Sequence, residues 1–428
     1  MSIAPLVALL LAAPANFSSD AVLLERTLRA LHPGLHRHQT PRQVDAHFAA
    51  LHRELSRDGI TTREAYVAIS RLTAALRCGH TYPNPSNQSA AVRTAVLDTA
   101  DKLPFTFRLE DRRMFVVEDS SRTLAPGAEV VAIDGVPVPK ILDALLPLLR
   151  GDGGNDGKRL HDLQGDAFDV YYPLVFPARN GRAEIAIRGK RGPLSVPRVA
   201  VQQRGGKSVS ADEQWQFTRD GDTATLRLGT FTTWKMKRDW RAFLRESFAS
   251  ARGARKLAID IRGNEGGDSD VVDEVVRHLL AKPLAVTGWR EVVRYRKLPE
   301  ELGAHVSSWD DSFRDFGDLP DLGNGLFLRK EATARTIEPA PDAYAGNVEL
   351  LIDEANSSAT FLLASIVKEH GLATLVGRET GGNRRGTNGG RIAFLKLPAS
   401  GIEVDVPLVG YFPTTPQPDR GIVPDVSR

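Results

Sequence analysis

An α/β fold, with a parallel sheet and crossover helices preceded by a small helical bundle and a compact β-rich domain, is what the sequence predicts. Three observations predict it. From about residue 212 onward, apolar strand-length runs alternate with amphipathic helix-length runs: "TATLRLGTF", "DWRAFLRESFASARG", "KLAIDIRGNEGG", "SDVVDEVVRHLLA", "VELLIDE", "ATFLLASIVKEHG" and "ATLVGRETGG". Such alternation implies parallel strands joined by crossover helices. Residues 100–205 have apolar positions at a period of two, as strands require, and residues 20–85 have them three and four apart, as helices require.

Taken in order, the chain opens with "MSIAPLVALLLAAPANFSSD". Its uncharged run has the length of a signal-peptide core, and Ala13-Pro14-Ala15 has the small-residue form of a cleavage site. The run is too short to span a bilayer, and no later segment is apolar enough to do so. An export signal over residues 1–15 and a periplasmic or secreted mature chain without a membrane span are therefore expected, although no Lys or Arg precedes the run. The single cysteine, Cys78, excludes an internal disulfide.

Three segments, "DAVLLERTLRALHP", "TPRQVDAHFAALHRELSRDG" and "TTREAYVAISRLTAAL", each open on Asp or Thr and read as short amphipathic helices. "RCGHTYPNP" (residues 77–85) ends the bundle with Gly and Pro. Beyond it come "FTFRL", "RMFVVED" and "APGAEVVAIDGVPVPKILDALLPLL", the last a strand, an Asp134-Gly135 turn and a helix; "RAEIAIRG" and "LSVPRVAVQQ" close the β-rich part. At 428 residues the chain is long enough for two or three cores. Lys and Arg number 56 against 53 Asp and Glu, a net charge of +3 with both signs interspersed, which argues against nucleic acid as a partner.

In parallel sheets of this kind ligands gather at the carboxyl ends of the strands. Two unusual loops lie there. "DIRGNEGGDSD" (260–270) carries consecutive glycines at 266 and 267, which let backbone N–H groups approach a ligand closely, as an oxyanion site requires. "EANSSAT" (354–360) places Ser357 and Ser358 at a helix start, where a serine is either an N-cap or a nucleophile with the next N–H, that of Ala359, beside it. A nucleophilic serine needs a base. His32, His36 and His38 form a possible metal tract, but no matching acid or cysteine spacing accompanies them, and no metal or organic cofactor is expected. His47, His52, His278 and His370 fall on helical patterns. His80, in "CGHTYP" between the bundle and the rest, is placed to overhang a cleft.

The string "LAIDIRGNEGG", followed about ninety residues later by "ELLIDEANSSATFLLASIVKEHGLATLVGRETGG", resembles the core of the C-terminal processing (tail-specific) serine peptidases, their tricorn-core relatives and the interphotoreceptor retinoid-binding protein repeats. "APGAEVVAIDGVPV" resembles that family's PDZ-like groove and "PDRGIVPDV" its C-terminal signature. The resemblance implies a crotonase/ClpP-like core over 212–428, a PDZ-like domain over 100–205 and a bundle over 20–85. It also implies Ser358 as nucleophile, oxyanion donors at Gly266, Gly267 and Ala359, and a peptide or protein substrate whose C-terminus adds to a strand edge around Ala125 to Val138.

Two positions depart from the pattern. Tail-specific relatives have a lysine base where this chain has Asn383 in "TGGNRRG", and the neighbouring Arg384 and Arg385 cannot deprotonate. The tricorn-type branch takes a histidine from the region ahead of the PDZ-like domain, which puts the base at His80. There the family has a serine before the histidine, here Gly79, and an acid where this chain has Pro418, so Asp419 is the expected orienting acid, with Glu403 behind it. The competing readings are a non-catalytic binder of an apolar ligand or peptide on the same fold, and an acyl-CoA enzyme of crotonase type. The latter explains neither the export signal nor the β-rich insert. An esterase shares the same acyl-transfer apparatus.

Overall fold

The computed structural model describes residues 16–204 and 209–428, so the expected export segment lies outside the described residues. Helices Ser18–Leu31, Pro41–Leu55 and Thr62–Ala75 form the N-terminal bundle. The second and third begin with reciprocal capping boxes, Thr40 with Gln43 and Thr61 with Glu64, each of which satisfies two backbone donors that a helix start otherwise leaves unpaired. Their apolar stripes meet through Leu24, Leu28, Phe48, Leu51, Tyr66 and Ile69.

The β-rich part is an antiparallel sheet in the order Phe105–Glu110, Arg113–Asp119, Glu129–Ile133, Arg182–Ile187, Leu194–Pro197. Between its third and fourth strands the chain inserts helices Val138–Leu145, Asp156–Asp162 and Asp166–Val175. The strand Glu129–Ile133 is hydrogen-bonded on both sides, Val130 facing Met114 on one and Ile187 on the other. It therefore has no free edge for an incoming peptide, contrary to the expectation for Ala125 to Val138.

The second unit is a six-stranded sheet in the order Val426–Ser427, Thr374–Gly377, Asn347–Ile352, Lys256–Asp260, Thr223–Leu228, Trp215–Asp220. All its pairings are parallel except the hairpin of the last two strands. Leu257, Ile259, Leu350, Ile352 and Leu375 are buried along it, as expected of strands covered on both faces. Helices Trp240–Ala251, Asp270–Arg277 and Ser358–His370 pack with it around a core of their own. Mixed α/β architecture with a parallel sheet is thus the fold, as the alternation predicts.

One part departs from that alternation. Residues 290–293, 306–307, 321–330 and 387–412 build a further six-stranded antiparallel sheet, dominated by the long hairpin of Thr387–Lys396 and Glu403–Phe412. The buried residues Ala393, Leu395, Val404, Val406 and Leu408 of this hairpin belong to the core of the bundle and the β-rich sheet, not to that of the parallel sheet. A hairpin from the C-terminal half therefore reaches over the N-terminal half. There the Asp405 N–H donates to Tyr82 O at 3.0 Å, and Gln88 bonds the Glu403 backbone N–H and carbonyl at 3.0 and 2.8 Å. Among the described residues no helix is long and apolar enough to cross a membrane.

Candidate active site

The two loops read as unusual are stitched together by buried amides. Asn356 Nδ2 donates to the carbonyls of Ile261 and Asn264 at 2.6 and 3.0 Å. Thr360 Oγ1 lies 2.9 Å from Asn264 O and 2.8 Å from Ser357 O. Asn264 in turn donates to Leu228 O at 2.8 Å and accepts from the Gly266 N–H at 2.9 Å. All three side chains are fully buried, and a buried polar group holds its place only when its hydrogen bonds are made. Asn264, Asn356 and Thr360 were not singled out from the sequence, although polar residues inside two glycine- and serine-rich loops were the available signal.

Within this frame the serines are not caps. Ser357 stands at the N-cap of Ser358–His370 without a capping bond; its hydroxyl donates instead to Glu265 O at 3.1 Å. Ser358 has φ +52°, a left-handed backbone that a residue with a Cβ adopts at a cost of order 1–2 kcal/mol. Gly266 (φ +107°) lies against it so closely that a Cβ there would meet Ser357 O at 2.8 Å, Ala359 N at 2.9 Å and Ser358 Cβ at 2.9 Å. Gly266 is thus a glycine because the serine turn occupies its side-chain space. Its own N–H is taken by Asn264, which corrects its expected place among the oxyanion donors. The N–H groups of Gly267 and Ala359 make no hydrogen bond among the described residues.

His80 comes to this edge on a loop held from four sides. Asp152 Oδ1 accepts from the Gly79 N–H at 2.9 Å, Arg150 Nη1 donates to Gly79 O at 2.6 Å, His32 Nε2 and Thr81 Oγ1 are 2.9 Å apart, and Tyr82 is bridged to Asp405. The ring packs by Gly389, where a Cβ would lie 3.7 Å from Cε1 and Nε2. Burial lowers the pKa of His80, Asp152 opposes that shift, and Arg150 and Lys158 add to it. The imidazole is consequently neutral at pH 7 and able to accept a proton. Ser358 and His80 share no hydrogen bond among the described residues, but one side chain links their loops. Arg150, bonded to Gly79, also reaches Glu265 Oε2 at 3.3 Å, and Glu265 carries the carbonyl that Ser357 holds. Burial raises the Glu265 pKa, but Lys158 and Arg150 outweigh it and hold the carboxylate well below its usual range.

Residues 222–427 match the model of peptidase family S41. The core of this chain is a peptidase family S41 domain. Among solved structures the chain is similar to a point mutant of CPAF, at 14% identity, 96% coverage of this chain, 92% of that one and a TM-score of 0.66. It is also similar to mature CPAF complexed with lactacystin, at 15% identity, 96% and 93% coverage and a TM-score of 0.63. At these identities the likeness shows the fold. No curated protein matches the chain in sequence.

The S41 domain does not bring the expected acid to His80. Asp419 Oδ1 accepts from Asn383 Nδ2 at 2.7 Å, and its Oδ2 lies 3.5 Å from His38 Nδ1. Glu403 is on the hairpin, where its backbone bonds Gln88. Asn383, at the position of the lysine base in tail-specific relatives, is fully buried and anchors Asp419. His32 and His38 are occupied by Thr81 and Asp419 respectively. A cavity of about 620 Å³ opens next to the site, walled by Tyr82 and Arg150 from the base side, Glu265 from the glycine loop, and Asp162 and Tyr171 from the inserted helices. Neither Ser358 nor His80 lines it, but through Tyr82 and Glu265 it adjoins both of their loops.

Proposed function

We propose that the chain is a serine-type peptidase with Ser358 as nucleophile and His80 as base. The observation that carries this is the backbone of Ser358, left-handed at φ +52° and pressed against Gly266 beside the free N–H of Ala359. Strained, non-capping serines of this kind cluster at functional turns. Ser358 Oγ attacks the peptide carbonyl while its proton passes to His80. The N–H groups of Gly267 and Ala359 take the oxyanion. Collapse of the tetrahedral intermediate expels the amine, which receives the proton from His80, and leaves an acyl-enzyme. Water, deprotonated by His80, then releases the carboxylic acid and frees Ser358. Substrate backbone enters along the cavity between Tyr82 and Glu265 rather than on the strand Glu129–Ile133, whose two edges are paired.

A fluorophosphonate probe reports an activated serine without knowledge of the substrate. Labelling of the full chain is expected in wild type and Ser357→Ala, and to be lost in Ser358→Ala and His80→Ala. A folded wild type that takes no label would sink the mechanism and favour a ligand-binding role for the same fold.

A further inference from the structure

The expected acid of His80 is elsewhere, yet another carboxylate holds the residue before it. Asp152 is only 4% exposed and has no ion-pair partner within 4.0 Å among the described residues. Its two polar contacts are the Gly79 N–H on Oδ1, 2.9 Å away, and the Thr387 hydroxyl on Oδ2, 3.3 Å away. A buried carboxylate is costly unless a positive charge answers it. Arg37 faces it from beyond ion-pair distance, with Nη2 donating to Tyr411 O and Nε and Nη1 buried without partners. His80, next in chain to the Gly79 that Asp152 holds, has an Nδ1 that is likewise buried and unpartnered. Residue 79 fits this arrangement: a Cβ there would lie 3.2 Å from Asp152 Oδ2, tighter than ordinary contact, so glycine lets the carboxylate pack closely on the backbone beside the base.

We propose that Asp152 is the positioning residue of the catalytic base, fixing the His80 loop through the Gly79 N–H and stabilising the imidazolium that forms when Ser358 gives up its proton. The inference rests on the serine-peptidase reading. It assigns to the β-rich half of the chain the part that the C-terminal signature supplies elsewhere. The charges facing His80 from the elements around it are Asp152, Arg150 and Lys158 from the inserted segment and Glu265 from the glycine loop. Cys78 lies on its own loop, buried, and the hairpin side presents the uncharged Asn388 and Gly389. Of the two carboxylates, Glu265 is already paired with Arg150 and Lys158, which leaves Asp152 as the one that acts on His80 without an ion-pair partner within 4.0 Å among the described residues.

The test titrates His80 directly. Histidine ¹³Cε1 NMR of the full chain, with the His80 signal identified by its loss in His80→Ala, is followed from pH 4 to 9 beside the rate of fluorophosphonate labelling. Asp152→Asn keeps an acceptor for the Gly79 N–H and removes the charge. It is expected to move the His80 midpoint to lower pH and to slow labelling at pH 8 by roughly tenfold, the equivalent of about one pKa unit. Thr387→Val, which removes a donor from the carboxylate and leaves the charge, is expected to move the midpoint the other way. It decides the matter if Asp152→Asn does not fold. An unchanged His80 midpoint in whichever variant folds overturns the proposal. A wild type that titrates but never labels overturns the peptidase mechanism instead, and leaves the Asp152 to His80 coupling to be read from the NMR alone.

Discussion

Ser358 illustrates how much one backbone angle decides. Its hydroxyl is no better a nucleophile than any other by composition; what distinguishes it is a left-handed φ of +52° that the helix behind it does not require. Gly266 opposite, with φ of +107°, clears the space into which the turn is pushed, and Asn264, Asn356 and Thr360 hold the turn there. The strain belongs to any residue with a Cβ, so it is separable from the chemistry. Ser358→Ala removes the hydroxyl and keeps the strain, whereas Ser358→Gly removes both. Both variants are expected to be inactive, with Ser358→Gly more stable than Ser358→Ala by about 1 kcal/mol in urea unfolding. Equal stabilities would mean that the turn carries no strain.

At the scale of elements, the segment from Arg150 to Asp162 joins the two halves of the site. The Arg150 guanidinium donates to Gly79 O, reaches Glu265, and stacks over the Tyr82 ring at 4.2 Å; Lys158 pairs with both Asp162 and Glu265. Only a planar fork makes the first three contacts together. Arg150→Lys is therefore expected to leave the fold intact, to slow fluorophosphonate labelling about tenfold, which corresponds to about 1.4 kcal/mol, and to raise amide exchange over residues 77–82; unchanged exchange there would refute the link. This segment also marks what sequence reading reached and what it missed. The loops 260–270 and 354–360 were legible because glycine pairs and a serine turn after an apolar strand are local signals. His80 was legible as a histidine between Gly and Thr in a loop, and its assignment as base followed from resemblance. Asp152 was not legible, since "RGDGGNDG" reads as an ordinary polar loop and acquires meaning only when folding brings it behind Gly79. Asp419 was misplaced for the converse reason: its nearness to a motif in sequence says nothing of Asn383 and His38, which hold it in space.

Across the whole molecule, the hairpin of Thr387–Lys396 and Glu403–Phe412 makes the N-terminal bundle and the peptidase core interdependent, because its apolar face completes the core of the bundle. The His80 and Ser358 loops therefore depend on one global fold, and whatever weakens the bundle also loosens the His80 loop. Acid does so through His32. That side chain is fully buried against Thr81, and burial, reinforced by Arg37 and Arg294, pushes its pKa down to about 3. In the unfolded chain it titrates near 6.5, so between about pH 6.5 and 3 the unfolded state binds the extra proton and stability falls as pH falls. From pH 6.5 to 5 the loss attributable to His32 is roughly 2 kcal/mol, at about 1.4 kcal/mol per unit. His32→Asn, whose amide can still meet the Thr81 hydroxyl, is expected to flatten that limb of the stability–pH curve in urea titrations at pH 7, 6 and 5. A variant as acid-sensitive as wild type would move the origin of the effect to His36, His38 and His80, whose pKa values burial also lowers. His32 hydrogen-bonds to Thr81, the residue after His80, so acid that protonates His32 also loosens the His80 loop. Activity is expected to fall on acidification before the fold is lost.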